Sequence, residues 1–275
     1  AYYHKRTHTG FLRHLVIRRG AATGEILVNL VTSSQEELDG GAFVQMLQAL
    51  PLEGRLAGVL QTVNDNFADI VQADHVTVLF GEPLIHDTLL GLTFEISPFS
   101  FFQTNSRGAE VLYQAVRDRV LTGWAGQTGK PVIFDLYCGT GTIAQILAPL
   151  AREVIGIELV DEAVAAARRN AGANGLGNCT FIAGDVLTAV ETLAQKPDII
   201  VLDPPREGIH PKAIFKIIAF KPEVFVYVSC KATSLARDLP FFTTAGYRVD
   251  SVQCVDMFAH GGHVETVVLM SRVKE

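Results

Sequence analysis

Long apolar runs are missing from this sequence: no stretch approaches the roughly 20 apolar residues that a membrane-spanning helix needs. Cysteine is scarce too, with four residues at positions 138, 179, 230 and 254 and no CxxC pair among them. That spacing excludes the usual zinc and iron–sulfur patterns and gives no disulfide framework. We therefore expect no membrane association, no bound metal and a reducing, cytoplasmic environment.

An excess of positive charge is also missing, because 29 acidic residues outweigh 23 Lys and Arg to give a formal net charge of −6. This balance argues against a large nonspecific nucleic-acid surface. Residues 1–24 nevertheless contain five basic residues and no acidic one. This basic segment could meet phosphates or form a solvated edge, and the sequence leaves both interpretations open.

The first third of the chain predicts a small α+β domain over residues 1–95. A helix is expected at 43–50, ending before Pro51. The expected strands lie at 12–18, 26–32, 56–62, 76–80 and on both sides of Gly91. The sequence begins at Ala1, inside a strand-like pattern, so we expect it to be part of a longer protein.

From residue 96 onward, β-like and α-like segments alternate with short loops. The predicted strands are 132–136, 154–158, 180–183, 199–202 and 224–229, and the helices are 106–121, 142–149, 161–173, 186–194 and 212–220. Two further β-like runs, 247–256 and 266–270, close the chain with a turn between them. We expect residues 96–275 to form a Rossmann-like α/β domain with a seven-stranded, mostly parallel sheet and one antiparallel strand.

A glycine-rich turn follows the first strand of this domain. Gly139, Gly141 and Ala144 fit the pattern G-x-G-x-x-A, and Glu158 ends the next strand about 20 residues further on. The pattern suits a nicotinamide dehydrogenase as well as a methyltransferase. A tight strand-to-helix turn without a ligand is the structural alternative.

Asp135 helps to separate the two ligands, because this residue precedes the glycines at the tip of its strand. Its carboxylate would repel a pyrophosphate but would hold an ammonium or sulfonium cation. S-adenosylmethionine carries both cations, and its ribose hydroxyls suit Glu158 as an acceptor. Methyl transfer is therefore favoured over hydride transfer. Asp185, after the third strand, is either an adenine contact or the N-cap of the next helix.

Two further loops are expected at the same edge of the sheet, Asp-Pro-Pro-Arg beginning at Asp203 and Ser-Cys-Lys around Cys230. The prolines would fix Asp203 over the cofactor, and a helix N-cap is the alternative role. Cys230 stands at a strand-to-helix turn, where a helix N-terminus and Lys231 would lower the thiol pKa below about 8.5. We interpret the other cysteines as packing residues: Cys138, Cys179 and Cys254.

A carboxylate also begins the last apolar strand. Glu265 follows a His-Gly-Gly-His turn and precedes the run 266–270, where an acidic residue is unexpected without a partner or a function. We expect Glu265 to be a general base. His260 and His263 are rival bases, and either could instead be a turn histidine.

Five ordered motifs resemble the RNA uracil-5-methyltransferase family, which makes 5-methyluridine in ribosomal and transfer RNA. These motifs are Phe-Phe-Gln-Thr-Asn at 101–105, the glycine loop at 135–141, Asp-Pro-Pro-Arg at 203–206, Ser-Cys at 229–230 and His-Val-Glu at 263–265. The resemblance implies an S-adenosylmethionine-dependent methyltransferase fold preceded by a small central domain. It also implies Cys230 as nucleophile, Glu265 as proton acceptor, and four cofactor contacts: Gln103, Tyr137, Glu158 and Asp203.

The chemistry that needs a thiolate here is addition to C6 of uracil, since C5 alone is too weak a nucleophile. A base must then remove the C5 proton, after the uridine has been extruded from its stack. We expect an RNA substrate, ribosomal RNA first and transfer RNA as the alternative, and no obligate protein partner. The rivals are a catalytically silent RNA-binding or scaffold domain, an amino-methylating enzyme, and an NAD-dependent dehydrogenase.

The sequence departs from the family in two respects. The usual Ser-Cys-Asn-Pro reads Ser-Cys-Lys-Ala here, so the loop after Cys230 is expected to be less rigid. The upstream RNA-binding barrel and the four iron–sulfur cysteines of many members are also missing from the sequence. We therefore expect a catalytic fragment of a longer enzyme.

Overall fold

The computed structural model describes residues 1–66, 75–191, 193 and 195–273. The chain folds into two compact units. One contains residues 1–88 and 93–102, and the other contains residues 89–92 and 103–275. Among the helices of the described ranges, none is long and apolar enough to cross a membrane.

The first unit is built around a four-stranded sheet with the order β1-β2-β3-β4. Its elements are β1 (Leu12–Arg19), β2 (Glu25–Thr32), α1 (Gly40–Gln48), β3 (Arg55–Val63) and β4 (His75–Gly81). The strands β2 and β3 are parallel with α1 as their crossover, whereas β1 and β4 pair antiparallel at the edges. A two-stranded pair, β5 (Ile85–Leu89) and β6 (Leu92–Ile96), follows. The predicted α+β character is confirmed.

The basic segment at the start of the chain is partly engaged within this unit. Three of its arginines donate to backbone carbonyl groups: Arg13 to Asn64 and Asn66, Arg18 to Pro98 and Ser100, and Arg19 to Glu53. These side chains therefore contribute to the packing of the first unit, which neither of the two sequence interpretations anticipated.

The second unit alternates helices and strands, as predicted. The elements are α2 (Ser106–Gly123), β7 (Val132–Leu136), α3 (Thr142–Leu147), a 3-10 turn (Ala148–Leu150), β8 (Glu153–Glu158), α4 (Asp161–Ala173), β9 (Cys179–Ala183), α5 (Val186–Ala189), β10 (Ile199–Leu202), α6 (Pro211–Ala219), β11 (Val224–Ser229), α7 (Ala232–Thr244), β12 (Tyr247–Val255) and β13 (Glu265–Arg272).

These strands form one seven-stranded sheet with the order β12-β13-β11-β10-β7-β8-β9. The strand β13 runs antiparallel to both of its neighbours, and the pairs from β11 to β9 are parallel. The central strands β7, β10 and β11 are buried throughout, because helices cover both faces of such a sheet. The predicted mostly parallel sheet with one antiparallel strand is confirmed.

Two helices differ from the prediction. The helix expected at 186–194 ends at Ala189, and residues 192 and 194 lie outside the described residues. For α7 the sequence predicted only a helix start after Cys230. The structure shows a full helix of 13 residues. The helix continues through Pro240, although a proline inside a helix is usually unfavourable.

Candidate active site

The predicted functional residues line one edge of the seven-stranded sheet. Because the carboxyl ends of parallel strands share an edge, the loops after β11, β10, β7, β8 and β9 meet there. The antiparallel β13 contributes its first residue to this edge. Along the sheet the order is Glu265, Cys230, Asp203, the 135–141 loop, Glu158 and Asp185.

Cys230 and Glu265 are brought together by the pairing of β11 with β13. In this antiparallel ladder Val228 lies opposite Val267 and Ser229 lies opposite Thr266. Cys230 and Glu265 are the residues directly beyond this last pair, so they lie near each other, and the Glu265 charge acts on the Cys230 thiol. Both residues are partly buried and partly accessible. The thiol is therefore not enclosed in the core.

The electrostatic surroundings of Cys230 contradict one prediction. Burial raises the pKa of the thiol, and the charges of Glu265 and Asp203 raise it further. The Arg206 guanidinium opposes both effects by hydrogen-bonding to the sulfur. The expectation that a helix N-terminus and Lys231 would lower the pKa was wrong. Burial and carboxylates from other strands dominate, and the stabilising cation is Arg206.

Asp203 lies between the thiol and the glycine loop. Its backbone N–H donates to the Leu136 carbonyl at 3.3 Å, which keeps the residue level with the end of β7. Burial raises the pKa of Asp203 to about 7, with a further contribution from Glu265. The helix N-cap alternative is excluded, because His210 caps α6 by accepting the Lys212 N–H at 3.2 Å.

The Glu265 carboxyl has a raised pKa as well. Burial is the main cause, and the positive charge of Arg206 lowers the pKa in part. The rival bases His260 and His263 are both exposed on the turn before β13. Neither histidine belongs to the groups that shift the pKa of Cys230. These observations favour Glu265 over the histidines.

Asp135 is fully buried at the end of β7. One carboxylate oxygen, Oδ2, accepts the Ala144 N–H at 2.9 Å. The other, Oδ1, is buried and has no hydrogen-bond partner among the described residues. Burial raises the pKa of Asp135, and Asp203 raises it further. A buried acceptor without a donor is unfavourable, so Asp135 is suited to a cationic ligand.

The glycine loop has a strained, open backbone. Tyr137, Gly139 and Gly141 all have positive φ angles, of 69°, 53° and 74°. For Tyr137 such an angle is uncommon, and strain of this kind concentrates at functional sites. A Cβ at Gly139 would enter open space, with no described atom within 4 Å, whereas one at Gly141 would lie 2.6 Å from the Phe181 ring.

The neighbouring strands supply two further acidic residues. Glu158 accepts the Gly139 N–H through Oε2 and the Val160 N–H through Oε1, both at 3.0 Å. Each oxygen still has a lone pair for a ligand hydroxyl. Asp185 is exposed and caps α5 by accepting the Leu187 N–H at 2.9 Å. Of the two roles expected for Asp185, the structure shows the helix N-cap.

The sequence reasoning gave no role to two residues, Tyr113 within α2 and Asn105 at its N-cap. The buried Tyr113 is hydrogen-bonded to Gln103, and burial raises its pKa, followed by the charges of Asp203, Asp135 and Glu265. Helical periodicity could have placed Tyr113 on the inner face of α2. Asn105 caps α2 through the Gly108 N–H at 3.0 Å and donates from Nδ2 to the Met257 carbonyl at 2.7 Å. This bond ties the turn before Glu265 to the helix.

The other cysteines occupy three different environments. Cys138 is buried, and burial raises its pKa. Burial also raises the pKa of the partly buried Cys179, to about 11. Cys254 is exposed on β12, so its interpretation as a packing residue was wrong. The alternating pattern of this edge strand turns Cys254 towards solvent.

The sheet order, the glycine loop and the antiparallel β13 define the Rossmann-like fold of S-adenosylmethionine-dependent methyltransferases. Residues 128–237 match the family model described as "Methyltransferase domain".

Two relatives carry the name "uncharacterized RNA methyltransferase". The chain is 48% identical to one from Clostridium tetani, over 98% of this chain and 58% of that protein. It is 49% identical to one from Caldanaerobacter subterraneus subsp. tengcongensis, over 98% of this chain and 59% of that protein. The chain thus spans about 58% of the length of the curated relatives.

A similar solved structure is the tRNA (uracil-54, C5)-methyltransferase of Pyrococcus abyssi in complex with S-adenosyl-L-homocysteine. The TM-score is 0.79 at 30% sequence identity, and the alignment covers 96% of this chain and 61% of that chain. The likeness therefore extends over both compact units.

Replacing Glu265 by Gln should lower the pKa of the Cys230 thiol, because a negative charge that destabilises the thiolate is removed. Alkylation of Cys230 by iodoacetamide, followed on its own peptide by mass spectrometry, should shift to lower pH. At a fixed, mildly alkaline pH the rate should rise about threefold or more. Glu223→Gln, at the opposite end of β11, is the charge-matched control and should leave the profile in place. An unchanged profile in Glu265→Gln would contradict the adjacency of the two side chains.

Proposed function

We propose that this protein methylates C5 of a uridine in RNA, with S-adenosylmethionine as methyl donor, Cys230 as nucleophile and Glu265 as proton acceptor. The observation that carries the proposal is the pairing of β11 with β13, which brings a partly accessible thiol and a carboxylate together just beyond its last pair, Ser229 with Thr266. A silent scaffold would have no use for this pair. An amino-methylating enzyme needs no thiol.

The residues of the glycine loop fit S-adenosylmethionine. The partnerless Oδ1 of Asp135 suits a ligand cation, and the open space at Gly139 would admit the nucleoside. Glu158 can accept from ribose hydroxyls while it keeps its two backbone bonds. The remaining proposed contacts are Gln103, Tyr137, Gly141, Asp185 and Asp203. When bound, the cofactor supplies an electrophilic methyl group on a sulfonium centre.

Cys230 makes the target carbon reactive. The thiolate forms a bond to C6 of the uracil ring, and the electrons of the C5–C6 double bond move towards the C4 carbonyl as an enolate. C5 thereby becomes electron-rich enough to accept a methyl group. Arg206, hydrogen-bonded to the sulfur, stabilises the thiolate against the burial and the nearby carboxylates that disfavour it.

Glu265 completes the reaction by taking the proton from C5 after methylation. The electrons of the C5–H bond re-form the C5–C6 double bond, and the Cys230 thiolate leaves C6. The raised pKa of Glu265 makes this carboxylate a stronger base than an exposed one. Its position near Cys230 suits removal of a proton from the carbon next to C6.

RNA is the proposed substrate because the two relatives are named RNA methyltransferases and the solved neighbour is named as a tRNA methyltransferase. We propose ribosomal RNA as the class of RNA. Transfer RNA is the second candidate, which the name of the solved neighbour favours.

RNA containing 5-fluorouridine should trap the protein as a stable covalent complex in the presence of S-adenosylmethionine, because fluorine cannot leave C5 as a proton does. Transcripts of 23S ribosomal RNA and of transfer RNA are the two probes, and denaturing gel electrophoresis detects the complex. Cys230→Ala should abolish the complex. Cys254→Ala removes an exposed thiol on β12 and should trap like the parent protein.

With ordinary RNA, Glu265→Gln should accumulate the covalent intermediate while turnover falls about 10²- to 10⁴-fold, the usual contribution of a general base. Full turnover by Cys230→Ala would refute the assignment of the nucleophile.

Two glycine variants should differ in how strongly they affect cofactor binding and stability. Gly139→Ala places a Cβ in the proposed cofactor space, so S-adenosylmethionine affinity should fall at least about tenfold while stability falls by only about 1 kcal/mol. Gly141→Ala collides with Phe181 and should cost about 2–4 kcal/mol of stability. Calorimetric titration and thermal unfolding measure the two effects. Unaltered cofactor affinity in Gly139→Ala would place the cofactor elsewhere.

A further inference from the structure

The loop that carries Asp203 and Arg206 is held by α7, the helix that follows Cys230. Three hydrogen bonds join them: Ser234 Oγ donates to the Arg206 carbonyl at 2.7 Å, the Arg237 guanidinium donates to the Glu207 carbonyl, and the Ile209 N–H donates to Asp238 Oδ2 at 2.8 Å. The loop and the helix are thus connected at three points within four loop residues.

Asp238 is the most deeply buried member of this connection, with 1% of its surface exposed. Its Oδ2 accepts from the Ile209 N–H and from the Tyr227 hydroxyl, each at 2.8 Å. Its Oδ1 pairs with the Arg237 guanidinium, with Nε at 3.0 Å. One carboxylate therefore joins α7, the 203–209 loop and the buried strand β11.

A buried carboxylate is costly unless donors satisfy it, and these donors come from the loop, β11 and α7. None of its bonds involves the proposed nucleophile, base or cofactor contacts, so the proposed mechanism does not use Asp238. What Asp238 fixes is the backbone at Ile209, three residues after Arg206. The guanidinium of Arg206 is the cation that faces the Cys230 sulfur, and Glu265 and Asp203 are the anions that face it.

We propose that Asp238 is a positioning residue, which fixes the 203–209 loop against α7 and so keeps Arg206 beside Cys230. The inference rests on the proposed function, since Cys230 is the group it serves. A purely structural Asp238 would affect stability alone and would leave the ionisation of Cys230 unchanged in the folded protein.

The test measures the pH profile of Cys230 alkylation by iodoacetamide in the full chain, without RNA or cofactor, read on the Cys230 peptide by mass spectrometry. Asp238→Ala should shift the profile to higher pH and slow alkylation about threefold to tenfold at a fixed, mildly alkaline pH. Asp238→Asn keeps an oxygen that can accept from Ile209 and Tyr227, so this variant should restore most of the parent profile. Tyr227→Phe removes one donor, keeps the loop bond and should have little effect.

Coupling to Arg206 provides the sharper criterion. Arg206→Ala alone should shift the profile in the same direction, and the double variant Arg206→Ala/Asp238→Ala should shift it no further. Additive shifts would overturn the proposal, as would a parent-like profile in Asp238→Ala whose circular dichroism is native. If Asp238→Ala does not fold, Ser234→Ala should give a smaller shift in the same direction, and no shift there would overturn it.

The two proposals fail in different ways. The alkylation profile depends on how Arg206 lies against the sulfur and requires no methyl transfer. If Cys230 were not the nucleophile, trapping by 5-fluorouridine RNA would fail while the coupled shifts of Asp238 and Arg206 persisted.

Discussion

The candidate active site depends on the antiparallel pairing of β13 with β11. The parallel strands deliver only the loops at their carboxyl ends to the edge of the sheet. The reversed β13 adds a residue from the start of a strand, so Glu265 reaches the same edge as Cys230. A slip of one residue would turn Glu265 to the opposite face of the sheet. Such a slip would also exchange the side chains of the buried run 267–270 between the two covered faces of the sheet and disrupt their packing.

Negative charge is the second constraint on this site. Burial raises the pKa of Asp135, Asp203 and Glu265, and neighbouring carboxylates raise the pKa of Asp135 and Asp203 further. The same surroundings disfavour a Cys230 thiolate, and the Arg206 guanidinium offsets part of this effect. A bound cation would relieve part of this repulsion. Under the proposed function, cofactor binding and thiol ionisation are therefore expected to favour one another.

Much of the fold follows from patterns that are local in sequence. Alternating apolar strands and helices predict the parallel sheet, and two final β-like runs without a helix between them predict the antiparallel strand. The strand-to-helix turn at Cys230 was predicted on the same basis. The predicted thiol pKa was wrong because it considered only the following helix and Lys231, whereas Glu265, Asp203 and Arg206 come from distant parts of the sequence.

The same limit explains the residues that the sequence analysis missed. The bond from Asn105 to Met257 and the bonds from Asp238 to Ile209 and Tyr227 join segments far apart in the chain. An Asn before a helix predicts a cap, but a cap pattern does not reveal a second bond. A buried Asp in α7 has no recognisable local signal at all.

Release of tritium from RNA that contains [5-³H]uridine reports methylation at C5 itself, because only methylation at C5 replaces that hydrogen. If Cys230 and Glu265 act as proposed, one tritium should be released to water for each methyl group transferred from S-adenosylmethionine, and Cys230→Ala should lose both. Methyl transfer without tritium release, or release that persists in Cys230→Ala, would contradict the proposed mechanism.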